Sequence, residues 1–361
     1  MKSWLLTALL LAAPLLASAA PLVFEGESGL GKGKHIVFMA GDHEYRSEES
    51  LPAIARLLAR HHGFKCTVLF NIDKASGEIT AGNNNMPGLE ALKTADLAVV
   101  FLRFQNFPAE QMRHFDDYLA RGGPVVGLRT ATHGFKIPAN APYGAYSFDG
   151  KDPAYTLGFG HQVLGQTWVG HHGRNHQQST RINIAPGKES HPILRGVRDI
   201  WVPVGGYVGK PTSGEILTIA QPLQGMKPSD PIAADKAPMP AEWTRSYRSR
   251  SGKEGRVFTT MHGTSEDIQN EGYRRLLCNG ILWALGLEDA ITAKLDYSFV
   301  GPFSPNTFAG GGHARGIKPE MYAGWTSPIP ANHNTKGDSK PAAKTNNNKA
   351  GSAAANDRPE A

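Results

Sequence analysis

Four apolar runs in this chain each stop at residues able to do chemistry. His35–Gly41 gives way to Asp42-His43-Glu44-Tyr45-Arg46. Asp96–Leu102 ends at Arg103-Phe104-Gln105-Asn106, and Pro124–Leu128 ends at Arg129-Thr130-Ala131-Thr132-His133. Late in the chain, Arg256–Met261 ends at His262-Gly263-Thr264. Carboxylates beside imidazoles are the equipment of proton transfer, so Asp42, Glu44 and His133 are the candidate catalytic residues. An imidazole titrates near neutral pH, which makes His133 the preferred general base or acid. The guanidinium groups of Arg103 and Arg129 can grip a carboxylate, phosphate or sugar oxygen with forked donors.

Each of these residues also has a plainer use. Asp42 could cap a turn while Glu44 and Arg46 pair in solvent. His133 could be a satisfied core histidine. Arg129 lies in Gly127-Leu128-Arg129-Thr130-Ala131, the place of a strained strand-to-helix elbow that would lift its side chain to the open edge of a sheet. Arginine cannot be a nucleophile there, which leaves Thr130 and Thr132 as weak candidates. His161, His171, His172 and His176 crowd one stretch. Glycines at 170 and 173 argue against a helix that would hold two of them toward a metal. A polar pocket lined by His171 and His172 is the better expectation, and no metal is assigned; the cofactor question stays open. Trp243 and His262, on late strands, are further candidates for substrate contact, since aromatic faces beside polar groups suit sugars. Gly29-Leu30-Gly31-Lys32-Gly33 precedes its strand, so it is not a dinucleotide fingerprint.

The elements that must position these residues follow from period and punctuation. His35–Ala40, Lys65–Asn71, Asp96–Leu102 and Val125–Leu128 read as buried parallel strands. Between them lie helical stretches: Ser47 to about His62, capped by Ser47; Gly88–Ala95; and Pro108–Arg121. Strict β-α alternation predicts an α/β fold with a doubly wound, mostly parallel sheet. Ligands of such sheets bind outside the carboxyl ends of the strands, where the four motifs stand. Gly134–Gly173 lacks periodicity and reads as a functional loop or lid. Strands at Arg181–Ile184, Glu215–Gln221, Glu242–Tyr247 and Arg256–Met261 and a helix at Asn270–Leu285 complete the pattern.

Of the 361 residues, both ends are expected to lie outside this fold. Met1–Ala20 has the basic start, apolar centre and small-residue exit of a secretory signal, with cleavage near Ala19 or Ala20. That predicts a periplasmic or secreted protein with no membrane span in the mature chain. Ala331–Ala361 has no large apolar residue and reads as a disordered tail. Gly33–Glu288 is left as one α/β domain, followed by an extension over Asp289–Pro330. The net charge of +6 includes Lys2 and a basic tail. The folded part is only mildly basic and has no charge block that would track nucleic acid. Cys66 and Cys278 allow one disulfide in an exported chain, but both sit in apolar surroundings and buried free thiols are the plainer reading. Oligomeric state is not legible.

Several segments together resemble one family. They are GDHEYRSEESLP from Gly41, the long run from Ala95 to Phe135, LGQTWVGHHG from Leu164, HPILRGV from His191, the strands around WTRSYRS and GRVFTTMHG, and RRLLCNGILWALGLED from Arg274. In this order they are similar to the ThuA-like, trehalose-utilisation family over about His35–Asp289. The resemblance implies a flavodoxin-like, class I glutamine-amidotransferase-like fold and a role near disaccharide and keto-sugar metabolism. By position, Asp42, His43 and Glu44 match its first loop, Arg129 and His133 its elbow loop, and His171 and His172 its middle loop. His262 falls in a strand-end loop of the same pattern. Amidotransferase relatives carry a cysteine where this chain has Arg129, so amidotransferase or thiol-peptidase activity is not implied. The expectation is an exported carbohydrate-processing lyase or hydrolase working by acid–base chemistry. Its substrate would be a disaccharide or 3-keto glycoside, bound by Arg129, His43, Arg103, His171, His172, Trp243 and His262. The alternative is a non-catalytic sugar-binding module on the same scaffold. Crowding of titratable groups at the strand ends favours catalysis over binding alone.

Overall fold

The computed structural model describes residues 21–332. The signal segment expected over Met1–Ala20 and nearly all of the tail expected over Ala331–Ala361 lie outside the described residues.

Helices pack on a ten-stranded mixed sheet in the order Leu22–Glu25 (β1), Lys65–Phe70 (β3), His35–Gly41 (β2), Leu97–Leu102 (β4), Val125–Leu128 (β5), Glu254–Thr260 (β10), Met239–Arg248 (β9), Glu215–Pro222 (β8), Thr180–Ile184 (β6) and Ile200–Val202 (β7). β2 (His35–Gly41), β3 (Lys65–Phe70), β4 (Leu97–Leu102), β5 (Val125–Leu128) and β10 (Glu254–Thr260) form a parallel half. β6 (Thr180–Ile184), β7 (Ile200–Val202), β8 (Glu215–Pro222) and β9 (Met239–Arg248) extend it as an antiparallel half beyond β10. β1 (Leu22–Glu25) pairs antiparallel with β3 at the other edge. β1 and β7 are too short for their patterning to stand out in the sequence.

Every residue of β2, β4 and β5 is buried, as continuous apolar runs between two helical layers require. Alternation sorts their side chains. Ile36, Phe38, Val99 and Phe101 face α1 (Ser47–His62) and α3 (Glu271–Ala284). Val37, Met39, Ala98 and Val100 face α2 (Ala109–Ala120) and the short helical turn Leu89–Thr94. The strand ends that carry the motifs belong to β2, β4, β5 and β10, which are consecutive in the sheet. Neighbouring strands lie about 4.8 Å apart, so these ends make one continuous edge.

The segment after α3 is no loose appendage. Ile291, Tyr297, Phe308, Tyr322 and Ile329 belong to the same core as α1. Arg56 of α1 donates to the carbonyls of Val300, Tyr322 and Ser327 at 2.7–3.1 Å. The Glu49 carboxylate accepts from the backbone and side-chain nitrogens of Asn306 at 2.8 and 2.9 Å. Ser47, expected to cap α1, does something else. The residue before the helix is Arg46, in a left-handed conformation at φ 61° without a side-chain cap. Ser47 Oγ instead accepts the Asp42 N–H at 3.0 Å. Cys66 and Cys278 are free and buried. Among the described residues no helix is long and apolar enough to cross a membrane.

Candidate functional site

The turn after β2 is organised by Asp42. Its Oδ1 accepts the N–H of Glu44 at 2.8 Å and that of Tyr45. Asp42 is fully buried, so it shapes the turn, which is the plainer of its two expected uses. The turn sends Tyr45 inward and leaves His43 and Glu44 half-buried at the edge. Glu44 pairs with Arg103 at 3.1 Å and not with Arg46. Arg46 is itself buried and donates to the Thr307 carbonyl.

At the end of β4, Arg103 uses its fork twice. Nη2 meets Glu44, and Nη1 donates to His43 Nε2 at 2.9 Å. That bond requires a lone pair on Nε2, so His43 is neutral. Burial lowers its pKa despite nearby Asp42, and Arg103 lowers it further. The Arg103 guanidinium also lies 4.9 Å from the centre of the Phe104 ring, whose residue has φ 52°.

The β5 end holds the two residues of greatest interest. Arg129 takes the strained elbow conformation, at φ 42°. Its side chain, however, runs inward and is 0 % exposed. The guanidinium carbon lies 3.9 Å from the Tyr45 ring centre and 4.2 Å from that of Tyr207. Nη1 donates to the Met261 carbonyl at 3.3 Å, while Nε and Nη2 meet no acceptor. The expectation that the elbow lifts this side chain to the open edge is therefore corrected: two tyrosines from other loops enclose it.

His133 is 2 % exposed and ringed by Phe104, Trp168, Tyr207 and Phe148, with centroids 4.9–6.2 Å away. Thr132 Oγ1 donates its only proton to the Arg129 carbonyl at 3.0 Å. Its contact with His133 Nδ1 at 3.3 Å then needs the proton on Nδ1, which leaves the lone pair on Nε2. Burial drives the His133 pKa well below its ordinary value, and Arg103 and Arg129 push the same way. The ring is thus a neutral imidazole.

Of the middle-loop histidines, His171 stands exposed beside the aromatic group. Its Nε2 is 3.4 Å from Tyr45 Oη, and its ring is 5.2 Å from Tyr207. His172 is buried, and its Nε2 donates to the Ala237 carbonyl at 2.7 Å. His262 is fully buried, with Nδ1 3.2 Å from Glu242 Oε1. Thr260 and Thr218 donate to the same carboxylate. The His262 ring packs against Gly206, where an added Cβ would come within 2.6 Å of Nε2. Gly206, at φ 68°, lets the loop carrying Tyr207 settle directly onto the ring. Trp243 does not reach the edge. It is 0 % exposed, and its indole donates to the Leu164 carbonyl at 2.8 Å; it is core.

The structure therefore brings Glu44, His43, Arg103, His133, Arg129 and His171 around one aromatic group, with Asp42 as the turn-former beneath. His172 and His262 form a buried layer behind Tyr207. Sequence reading gave no role to Tyr45, Tyr207 or Phe148, nor to Phe308 of the extension, whose ring is 5.2 Å from Tyr45. Tyr45 was visible inside its motif. Tyr207, after Gly205-Gly206, had only that glycine pair as a signal. Beside the site lies a concave space of about 890 Å³, whose lining includes Asn106, Lys136, Ser147 and Asp152 but not Asp42, Arg129 or His133. Among the described residues no group of three or more His, Cys, Asp or Glu side chains is arranged to hold a metal ion.

Residues 34–284 match the family model described as "ThuA: Trehalose utilisation". No curated protein matches the chain. Among solved structures, a ThuA-like protein from Parabacteroides merdae aligns at 17% identity and a TM-score of 0.42, covering 77% of this chain and 97% of its own. A ThuA-like protein from Bacteroides uniformis aligns at 14% identity and a TM-score of 0.43, covering 75% and 99%.

Proposed function

Because the chain belongs to the ThuA family, described as trehalose utilisation, we propose that it is an exported enzyme that cleaves 3-keto glycosides by acid–base elimination. The observation that carries this reading is His133: a neutral imidazole with its lone pair on Nε2, walled by aromatic rings and close enough to the Arg103 charge to feel it. Aromatic walls suit sugar faces. A ketone at C3 of a sugar acidifies the proton at C2. His133 Nε2 takes that proton, and the electron pair of the broken C–H bond moves toward O3 as an enolate. The Arg103 guanidinium, oriented by Glu44 and His43, meets the developing negative charge. The pair then returns to form the C1–C2 double bond as the C1–oxygen bond breaks. The departing oxygen takes the proton back from His133. An imidazolium held among cations gives up its proton readily, which suits this last step. Asp42 and Arg129 act beneath, shaping the β2 turn and fixing Tyr45 and Tyr207. The parallel half, with its strand order and two helical layers, is read as the flavodoxin-type core of the family.

Export rests on the signal-like composition of Met1–Ala20. A second reading, a non-catalytic sugar-binding module, is favoured by one observation: Glu44 and His43 already occupy both terminal nitrogens of Arg103. Incubating the purified protein with disaccharides and their 3-keto derivatives, read by mass spectrometry, separates the two. Cleavage of a 3-keto compound supports the enzyme. Binding without cleavage supports the module.

A further inference from the structure

We infer that the concave space beside the site, about 890 Å³ in volume, is a second subsite that holds the leaving-group end of a neutral oligosaccharide; this rests on the carbohydrate reading above. The volume lies in the range of ~300–1,000 Å³ typical of small-molecule sites. None of the strand-end residues argued above to do chemistry lines it.

The space adjoins the site through two half-buried rings. Phe104 lies 4.9 Å from His133 on one side, and on the other its ring centre is 5.6 Å from Lys136 Nζ. Lys136 lines the space. Phe148 packs 5.3 Å from Phe104 and 6.2 Å from His133. Its chain neighbours Ser147 and Asp149 line the space as well. A molecule with one ring over His133 would therefore meet an aromatic ledge and then this hollow.

The lining chemistry selects the ligand. Lys136, Lys151, Asp149 and Asp152 balance in charge, and all four are exposed. A wall of one sign would collect an ion of the other. Donors and acceptors in equal supply instead suit hydroxyl groups, which both give and take hydrogen bonds. The wall is also built in advance. The Phe148 N–H donates to the Phe135 carbonyl at 3.0 Å, and the Leu157 N–H to the Gly150 carbonyl at 2.8 Å. Ser147 Oγ donates to Asp149 at 2.7 Å, and the Ile137 N–H donates to Ser147 Oγ at 3.3 Å. A preformed wall spares the ligand the cost of ordering it.

The test compares chain lengths on the full protein. Turnover is measured for a methyl 3-keto-glucoside, a 3-keto disaccharide and a 3-keto trisaccharide. We expect kcat/KM to rise with length, on the order of tenfold overall, the worth of one or two hydrogen bonds. Lys136→Ala combined with Asp152→Asn should erase that rise and leave the methyl glycoside unchanged. Ala145→Trp, which fills the hollow without removing charge, should do the same. Equal kcat/KM at all lengths in the unmodified protein, or an equal loss on the methyl glycoside in both variants, overturns the subsite. Failure of the enzymatic reading has a different signature, no turnover of any compound. Calorimetry with an unoxidised trisaccharide then decides for the subsite: binding lost in both variants supports it, and absence of binding to the unmodified protein overturns it.

Discussion

The Arg129 guanidinium carbon lies 4.2 Å from the centre of the Tyr207 ring and 3.9 Å from that of Tyr45, and the two rings meet edge to face at 6.2 Å. A buried cation packed against this ring pair ties the β5 elbow to the β2 turn and to the loop after β7. A cation–π contact is worth ~2 kcal/mol or more when desolvated. Arg129→Lys, which loses the flat stacking surface, is expected to destabilise the protein by about 1–3 kcal/mol. Urea unfolding of Arg129→Lys, Tyr207→Leu and the double variant should give a coupling of about 1 kcal/mol or more. Additive losses would mean that the rings and the cation stabilise the fold independently.

The loop that carries Tyr207 depends on Gly206. Its φ of 68° and its approach to the His262 ring both exclude a side chain. Gly206→Ala should cost about 1–3 kcal/mol from strain and displacement. It should also shift Tyr207 from Arg129, visible as changed near-ultraviolet circular dichroism. An unchanged spectrum and unchanged stability would show that the loop tolerates a methyl group there.

Glu48 and Glu49 give the protein a pH dependence of defined sign. Burial raises the Glu48 pKa to about 8, with Glu49 adding to it. Burial also raises Glu49, to about 7, against the hydrogen bonds from Asn306. Both carboxyls keep their protons to higher pH in the folded chain than in the unfolded one, where the value is near ~4.3. Their contribution is therefore complete below about pH 4 and is lost as pH rises through about 7 and about 8. Urea midpoints should fall across that window, and Glu48→Gln should flatten the fall. A midpoint that climbs from about pH 5 to about pH 8 in both proteins would contradict this assignment.

His133 titrates in the opposite sense. Burial, then Arg103 and Arg129, hold its pKa well below the usual ~6.5. The base form therefore persists into acid, and the acid limb of any pH–rate profile on a 3-keto substrate should fall well below ~6.5. His133→Gln should cut kcat by ~100- to 10,000-fold with the fold retained. An acid limb at the ordinary histidine value would place the titrating group elsewhere.

The strand-end edge was legible because β2 and β4 are unbroken apolar runs and their last residues change character abruptly. The convergence of Glu44, Arg103 and His133 followed from that. What was hidden depended on distant partners. Arg129 turns inward because Tyr45 and Tyr207, far apart in sequence, meet edge to face and together receive it. Ser47 reads as a helix cap by type, yet Asp42 and Ser47 close the turn between them. Glu48 and Glu49 look like exposed first-turn carboxylates until Asn306 and Tyr322 of the extension cover α1. Trp243 carries no mark that separates a sugar platform from a core residue, and its partner, the Leu164 carbonyl, lies in the aperiodic stretch.

The central claim is that His133 removes the C2 proton of a 3-keto glycoside, and proton NMR in deuterated buffer tests it most directly. With the purified protein and a 3-keto disaccharide, the C2 proton signal should disappear and the released sugar should accumulate, and neither should occur with a folded His133→Gln variant. Retention of the C2 signal with the unmodified protein, or the same rate of loss in the variant, would contradict the account.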